Sequence, residues 1–479
     1  MSTIHYPDPP AQLKDKRWWR SLGFLGPGII IASVSIGNGE TVFASRGGAI
    51  FGYAILWCFT LGILLKGVQM YASSRYMMIS GEHPMQSWLM LPGPRGWLPM
   101  SLLFITVICL PFLLAALSMS VGSVISWMLG DGIVSDLSVR AWASSLILVA
   151  AVFSWNQSYK RLETTQTIVV AILLVSVLIA AIACKPDIAA LIKGMLIPQI
   201  PDYEPWVKTA YPKIAQQPPW IELITYIGII GGGLPAYIGY LGFLRDKQWG
   251  LFKEQPIYKN STAEGFPTID SSEANRSNIR AWLRAIKIDV GGGFLAIFIF
   301  SSAFMALGAV ILHTSNLIPD NLELLSHQES FLTALSPSLL ILYRIGIVAA
   351  IGGTLFATFD VWTKTVHEGL LPFKKSPDIQ SAPALKKWII LSTSIIGIGV
   401  IWLGSVWGPL RNPISVVSIP ALLGGTFGCG VWCLGVAWAD RRNLPAPYRM
   451  NGYLLGALIL SGLVLLFAGS LGIYSKFFG

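Results

Sequence analysis

Two long apolar segments of this chain are interrupted by glycine at matching places, and this limits the possible folds more than any other feature. The first reads GPGIIIASVSIGNGETVFASRGG, with Gly37-Asn38-Gly39-Glu40 at its middle. The second reads ELITYIGIIGGGLPAYIGYLGF, with Gly231-Gly232-Gly233 followed by Leu234-Pro235. Inside a bilayer a helix can open its backbone only where protein or water re-satisfies the freed N–H and C=O groups. Two such breaks, each in the first span of one half of the chain, predict the midplane site of a secondary transporter built from inverted repeats.

The rest of the chain supports a membrane reading. Of its 479 residues, 53% are hydrophobic and only 12% are charged, where a soluble domain carries about 25%. Eleven apolar stretches can be marked, at 22–50, 51–79, 98–129, 139–156, 165–184, 220–244, 286–312, 331–362, 387–407, 413–438 and 451–475. Each reaches the ~17–25 residues needed to cross a bilayer. The expectation is an all-α polytopic membrane protein with about 11 transmembrane helices, arranged as a 5+5 inverted repeat with spans 1 and 6 broken. The polar, proline-rich start is unlike a cleavable signal peptide, so the first span is expected to stay in the membrane.

The formal net charge of +10 would suit a nucleic-acid partner if the charge were clustered, but it is sorted by topology instead. With the N-terminus inside, the cytoplasmic segments hold 24 Lys and Arg and the external segments hold 8. That asymmetry follows the positive-inside rule and predicts a cytoplasmic N-terminus and an external C-terminus. Orientation accounts for the basic excess without any nucleic acid. The five cysteines fall almost entirely within apolar spans and read as small buried hydrophobes.

The expected organisation is a cytoplasmic basic leader at 1–20 and a first five-helix repeat at 21–184. An external loop at 185–219 with seven prolines follows, and it should be ordered. The second repeat covers 220–438 and includes a cytoplasmic loop at 245–285, with a short surface helix near NRSNIRAWLRAIK. An additional eleventh helix lies in 439–479.

The candidate site is the pair of breaks. An unwound helix offers bare N–H groups, bare carbonyls and two half-helix dipoles. Gly37 and Gly39 permit a turn, and Asn38 and Glu40 supply side-chain oxygens. A carboxylate near mid-membrane costs roughly 2.5–3.5 kcal/mol on insertion scales, which makes Glu40 the leading functional residue and the tentative metal ligand. Its structural alternative is to cap the outer half-helix and pair with Arg46. Gly231, Gly232 and Gly233 let backbone approach a small ligand closely, with Leu234, Tyr237 and Tyr240 just beyond. Lys66 and Arg344 lie within spans and Asp360 near a span end, where they are candidates for gating or coupling. The chain has no GxxxxGK[ST] loop, HExxH motif or nucleophile elbow, so neither ATP-driven transport nor an enzyme is expected. No cofactor is implied.

The first two spans resemble the Nramp family of proton-coupled divalent-metal transporters, whose members have the LeuT-type fold. The resemblance lies in Gly26-Pro27-Gly28, the break that follows, Gly47-Gly48, the Phe51-to-Trp57 stretch and the Arg75-to-Gly81 stretch. Leu234-Pro235 and Ile419-Pro420-Ala421-Leu422 extend it loosely into the second half. It implies a monomeric multi-pass protein of the bacterial inner (plasma) membrane whose partners are the lipid bilayer and a small ion or solute.

The departures bear on substrate. The family's Asp-Pro-Gly-Asn falls on Gly37-Asn38-Gly39-Glu40, so the metal-binding aspartate is absent. Its Met-Pro-His falls on Leu234-Pro235-Ala236, which removes the thioether that favours soft metals. Its second helix-6 histidine falls on Leu241, and the third span has no acid. One carboxylate with backbone oxygens and water still suits a hard ion such as Mg²⁺ or Mn²⁺. A magnesium-transporting branch of the family also differs at the methionine. A second reading is a small anion, carboxylate or amino acid held by the N–H groups of the breaks, with Lys66 as counter-charge. A third is a scaffold that no longer transports.

Overall fold

Apolar runs of this length can satisfy their backbone only internally, and they do so here as helices. The structure is a computed structural model that describes residues 3–15, 17–129, 135–155, 159–253, 268–270, 272–319, 340–374 and 383–477. The first span has three pieces: α1 (Pro27–Ser35), a widened helical segment Ile36–Ala44, and α2 (Ser45–Phe51). Next come α3 (Leu56–Ser80), α4 (Trp97–Leu129), α5 (Asp136–Ser154) and α6 (Tyr159–Ala183). The sixth span is split into α7 (Pro219–Ile229) and α8 (Leu234–Asp246). Then follow α9 (Glu273–Leu307), α10 (Leu340–Leu370) and α11 (Pro383–Val406). The tenth span is α12 (Pro413–Pro420), a widened segment Ala421–Phe427 and α13 (Gly428–Asn443), and the last helix is α14 (Gly452–Phe477).

Eight helical stretches among the described residues are long and apolar enough to cross a membrane. Helices also occupy the three other expected stretches, as α1–α2, α3 and α10. The 185–219 region forms three short helices, Ile188–Leu196, Pro205–Ala210 and Pro212–Ala215. Side chains tie it to the bundle: Trp57 Nε1 donates to the Gln199 carbonyl at 2.9 Å, and Tyr203 stacks on Phe51.

One segment departs from the sequence expectation. The NRSNIRAWLRAIK stretch is not a separate surface helix, because α9 already starts at Glu273 and runs through it without a break. Its buried Ile279, Trp282, Ala285 and Ile286 recur at helical spacing and continue the buried face of α9. The leader, for which sequence reading offers no contacts, is docked. Its Thr3–Ile4 pairs in parallel with Thr268–Ile269. The Tyr6 hydroxyl donates to the Met78 carbonyl at 2.7 Å, and Trp282 Nε1 donates to the Pro7 carbonyl at 3.0 Å.

The two broken spans are packed centrally. α9 lies against α1 and α3, α8 lies against α10, and α7 lies against α3 and the widened Ala421–Phe427 segment. Close approach there depends on glycine. A Cβ added at Gly425 would overlap the Gly228 carbonyl, and one at Gly233 would come within 3.0 Å of Gly425 Cα. Asp289 of α9 fixes the start of α1: its carboxylate accepts from Gly26 N–H at 2.8 Å, Gly28 N–H at 2.9 Å and the Tyr240 hydroxyl at 2.8 Å. A single buried side chain thereby joins α1, α8 and α9.

Overpacking a close glycine contact should cost about 1–3 kcal/mol or more. Gly425→Val is expected to lower the thermal midpoint of the detergent-solubilised protein sharply. Gly291→Ala in α9 faces open space and should leave the midpoint unchanged or slightly raised.

Candidate functional site

The sixth span breaks at its glycines. α7 ends at Ile229, and α8 begins at Leu234 with Pro235 in its first turn. Between them Gly231 and Gly232 have φ of +77° and +82°, a left-handed conformation that strains any residue with a Cβ. This path aims the carbonyls of Gly228, Ile230 and Gly232 at one point. The ammonium of Lys66, reaching from α3, occupies it. Nζ donates to Gly228 O at 2.8 Å, Ile230 O at 2.7 Å and Gly232 O at 2.7 Å. These three bonds use the three donors of the ammonium. Lys66 is 0% exposed. The C-terminal end of α7 carries the negative end of its helix dipole, which further favours a cation there.

Gly231 is held from both sides. Its N–H donates to Glu40 Oε1 at 3.0 Å, and its carbonyl accepts from the Tyr237 hydroxyl at 2.6 Å. Glu40 is also 0% exposed. Among the described residues, Glu40 Oε2 has no hydrogen-bond partner, and neither has the hydroxyl of Ser35, the last residue of α1. Ser35 borders Gly232: a Cβ there would lie 2.8 Å from Ser35 Oγ. Ser35 and Gly232 also line a cavity of about 80 Å³, together with Val34, Leu117, Gly233 and Thr358 among others; Glu40 is not in its lining.

The first span is interrupted at Gly37, where two helices meet across a kink. Gly37, at ψ −108°, is the one residue of Ile36–Ala44 outside helical geometry, and the Thr41 hydroxyl donates to its freed carbonyl. The side chain of Asn38 and the surroundings of Gly39 lie outside the described residues. Glu40 does not pair with Arg46. Arg46 donates to Glu222 at 3.0 Å and to the Pro319 carbonyl at 3.0 Å, bridging α2 to α7. A second buried ion pair, Arg245–Glu368 at 3.0 Å, joins α8 to α10 at the opposite end.

Of the residues singled out from sequence, Glu40, Lys66, Gly231, Gly232 and Tyr237 come together. Gly233 lines the cavity, and Leu234 is buried against Gly428. Tyr240 serves Asp289 instead. Asp360 does not join the cluster; it pairs with Lys386 of α11 at 2.6 Å. The side chain of Arg344 lies outside the described residues. Sequence reading missed Ser35 and the role of Asp289. The position of Ser35, two residues before the break, was the available signal. Among the described residues no group of three or more His, Cys, Asp or Glu side chains is placed to hold a metal ion. Among the described residues the oxygens offered here are one carboxylate with hydroxyl and backbone oxygens, which is the donor set of a hard ion.

Comparison with known proteins sets this geometry in context. The family model described as natural resistance-associated macrophage protein-like, Nramp, matches residues 28–419. Among curated proteins, the metal transporter nramp1 homolog of Dictyostelium discoideum is 23% identical over 201 residues, 40% of this chain and 36% of that protein. The match thus spans well under half of that relative's length. Among solved structures, a point mutant of the Eremococcus coleocola manganese transporter is similar with a TM-score of 0.63 at 15% identity, covering 99% of this chain and 90% of that one. MhsT in complex with L-phenylalanine gives a TM-score of 0.54 at 15% identity, covering 94% of this chain and 98% of that one. These likenesses establish a LeuT-type fold.

The Tyr237 hydroxyl helps hold the Gly231 peptide in place. Tyr237→Phe should cost about 0.5–1.5 kcal/mol of stability, read as a lowered thermal midpoint, with the fold otherwise retained.

Proposed function

The chain belongs to the Nramp family, a family of transporters and not of enzymes, and we propose that it moves a small hard divalent cation, of the Mg²⁺ or Mn²⁺ class, through the site between its two helix breaks. The observation that carries this reading is the carboxylate of Glu40. One of its oxygens is fixed by the Gly231 N–H, while the other is buried with no donor among the described residues. A buried acceptor without a donor calls for a missing partner such as an ion or ordered water. In its ionised form that oxygen calls for a positive partner. The unpartnered hydroxyl of Ser35 supplies a second neutral oxygen, and water would complete the shell of a partly hydrated hard cation.

The anion or amino-acid reading fares worse on the same atoms. It needs free N–H groups and a free Lys66. The Gly231 N–H is taken by Glu40, and the Lys66 ammonium is taken by three carbonyls. An anion entering here would meet oxygen lone pairs. Glu40 and Lys66 are both fully buried, and an ion pair lies at each end, Arg46–Glu222 and Arg245–Glu368. This corresponds to an occluded state in which opening either pair exposes the site to one side.

Proteoliposomes with an internal fluorescent reporter and an imposed gradient test the proposal. Saturable uptake of Mg²⁺ or Mn²⁺ is expected. Glu40→Gln keeps an oxygen for the Gly231 N–H but removes the charge, and should reduce uptake at least tenfold while leaving the protein folded, since one lost charge-assisted contact of about 1.5–3 kcal/mol corresponds to that order. Full uptake by Glu40→Gln would remove Glu40 from the site.

A further inference from the structure

The geometry points to a second cation site, distinct from the oxygens of Glu40 and Ser35: the Gly228, Ile230 and Gly232 carbonyls form a monovalent-cation site that the chain fills with its own Lys66 ammonium. The inference deepens the transporter reading above and rests on it only for the role of the site, not for its existence.

Three observations carry it. The three carbonyls converge to within 2.7–2.8 Å of one nitrogen, and a cluster of backbone oxygens at the C-terminal end of a half-helix is where discontinuous helices bind Na⁺ and similar cations. The carbonyls can converge only because Gly231 and Gly232 adopt positive φ. Lys66 Nζ donates to all three oxygens, and without a cation they would be buried and short of partners, a costly state in a low-dielectric interior. Finally, Lys66 is 0% exposed, and among the described residues its amine has no carboxylate within ion-pair distance. Its charge is met by dipoles of one backbone segment, as a bound ion's would be. The stem runs past Gly231, with Cδ 3.6 Å from where a Cβ would stand, so the tether fills the approach as well as the site.

Two consequences follow. This transporter should need no inorganic monovalent cation at the helix 6 break, because the site is permanently supplied. Removing the ammonium should create a requirement for one. An ammonium, Na⁺ or K⁺ ion, matching the tether in charge and small enough for three carbonyls, is the ligand class expected.

The test is thermal unfolding of the purified full chain, followed by intrinsic tryptophan fluorescence, in chloride salts of choline, Na⁺, K⁺ and NH₄⁺ at constant ionic strength. The wild type should be indifferent to the cation. Lys66→Ala opens room for an ion and should show a saturable rise of several degrees with at least one of Na⁺, K⁺ or NH₄⁺ over choline, as binding to the native state alone requires. Lys66→Met keeps the stem but not the charge; it should be less stable than wild type and not be rescued. A Lys66→Ala protein that folds and responds to salts as the wild type does overturns the inference, as does a Lys66→Met protein as stable as wild type. Should either variant fail to fold, the wild type still decides: a specific stabilisation by Na⁺ or K⁺ over choline overturns the inference, and its absence supports it. None of these readouts depends on divalent uptake. A protein that moves no Mg²⁺ or Mn²⁺ but behaves as predicted here fails only the transport proposal.

Discussion

The structure around the two breaks depends on one interaction, the Lys66 ammonium against the carbonyls of Gly228, Ile230 and Gly232. An ammonium this deep would be costly alone, and so would three carbonyls freed from a helix. Each cost is offset by the other, so neither side can change independently. The carbonyls need Gly231 and Gly232 in the left-handed region. That path needs Gly233 and Gly228 close to Gly425 on the neighbouring widened segment. Gly231 is then held by Glu40 at its N–H and by Tyr237 at its carbonyl. Three side chains, from the first, second and sixth spans, thus fix one turn of backbone.

Three further sets of buried charges hold the helices that carry this turn. Asp289 pins the start of α1 and the Tyr240 hydroxyl of α8. Arg46–Glu222 joins α2 to α7, and Arg245–Glu368 joins α8 to α10. Each contact links a half-helix to an element outside its own segment. Breaking a buried pair of this kind leaves an uncompensated charge and costs several kcal/mol, about 3–5 by general experience. Such contacts favour discrete arrangements over gradual deformation, which suits a protein that must pass between closed and open states.

Much of this was legible in the sequence, for identifiable reasons. Glycine runs in apolar segments announce breaks because few other residues tolerate the backbone, and both breaks lie where Gly37 and Gly231–Gly233 place them. The absence of the family's aspartate and methionine could be read directly, and among the described residues no cluster of three or more His, Cys, Asp or Glu side chains replaces them. What could not be read was pairing. Lys66 stood out as a buried cation, but its partners are main-chain oxygens and leave no mark on residue identity. The polar start of α9 looked like a separate loop helix because its surface is charged, yet its buried positions keep the period of the helix that follows.

The most direct test is anomalous diffraction from crystals soaked in Mn²⁺, with the wild type and Glu40→Gln compared. The account predicts one peak in the wild type within direct coordination distance of the Glu40 carboxylate, beside Ser35 and apart from the Lys66 ammonium, and no such peak in Glu40→Gln. A peak that persists in Glu40→Gln, or one at the Gly228, Ile230 and Gly232 carbonyls with Lys66 displaced, would contradict it.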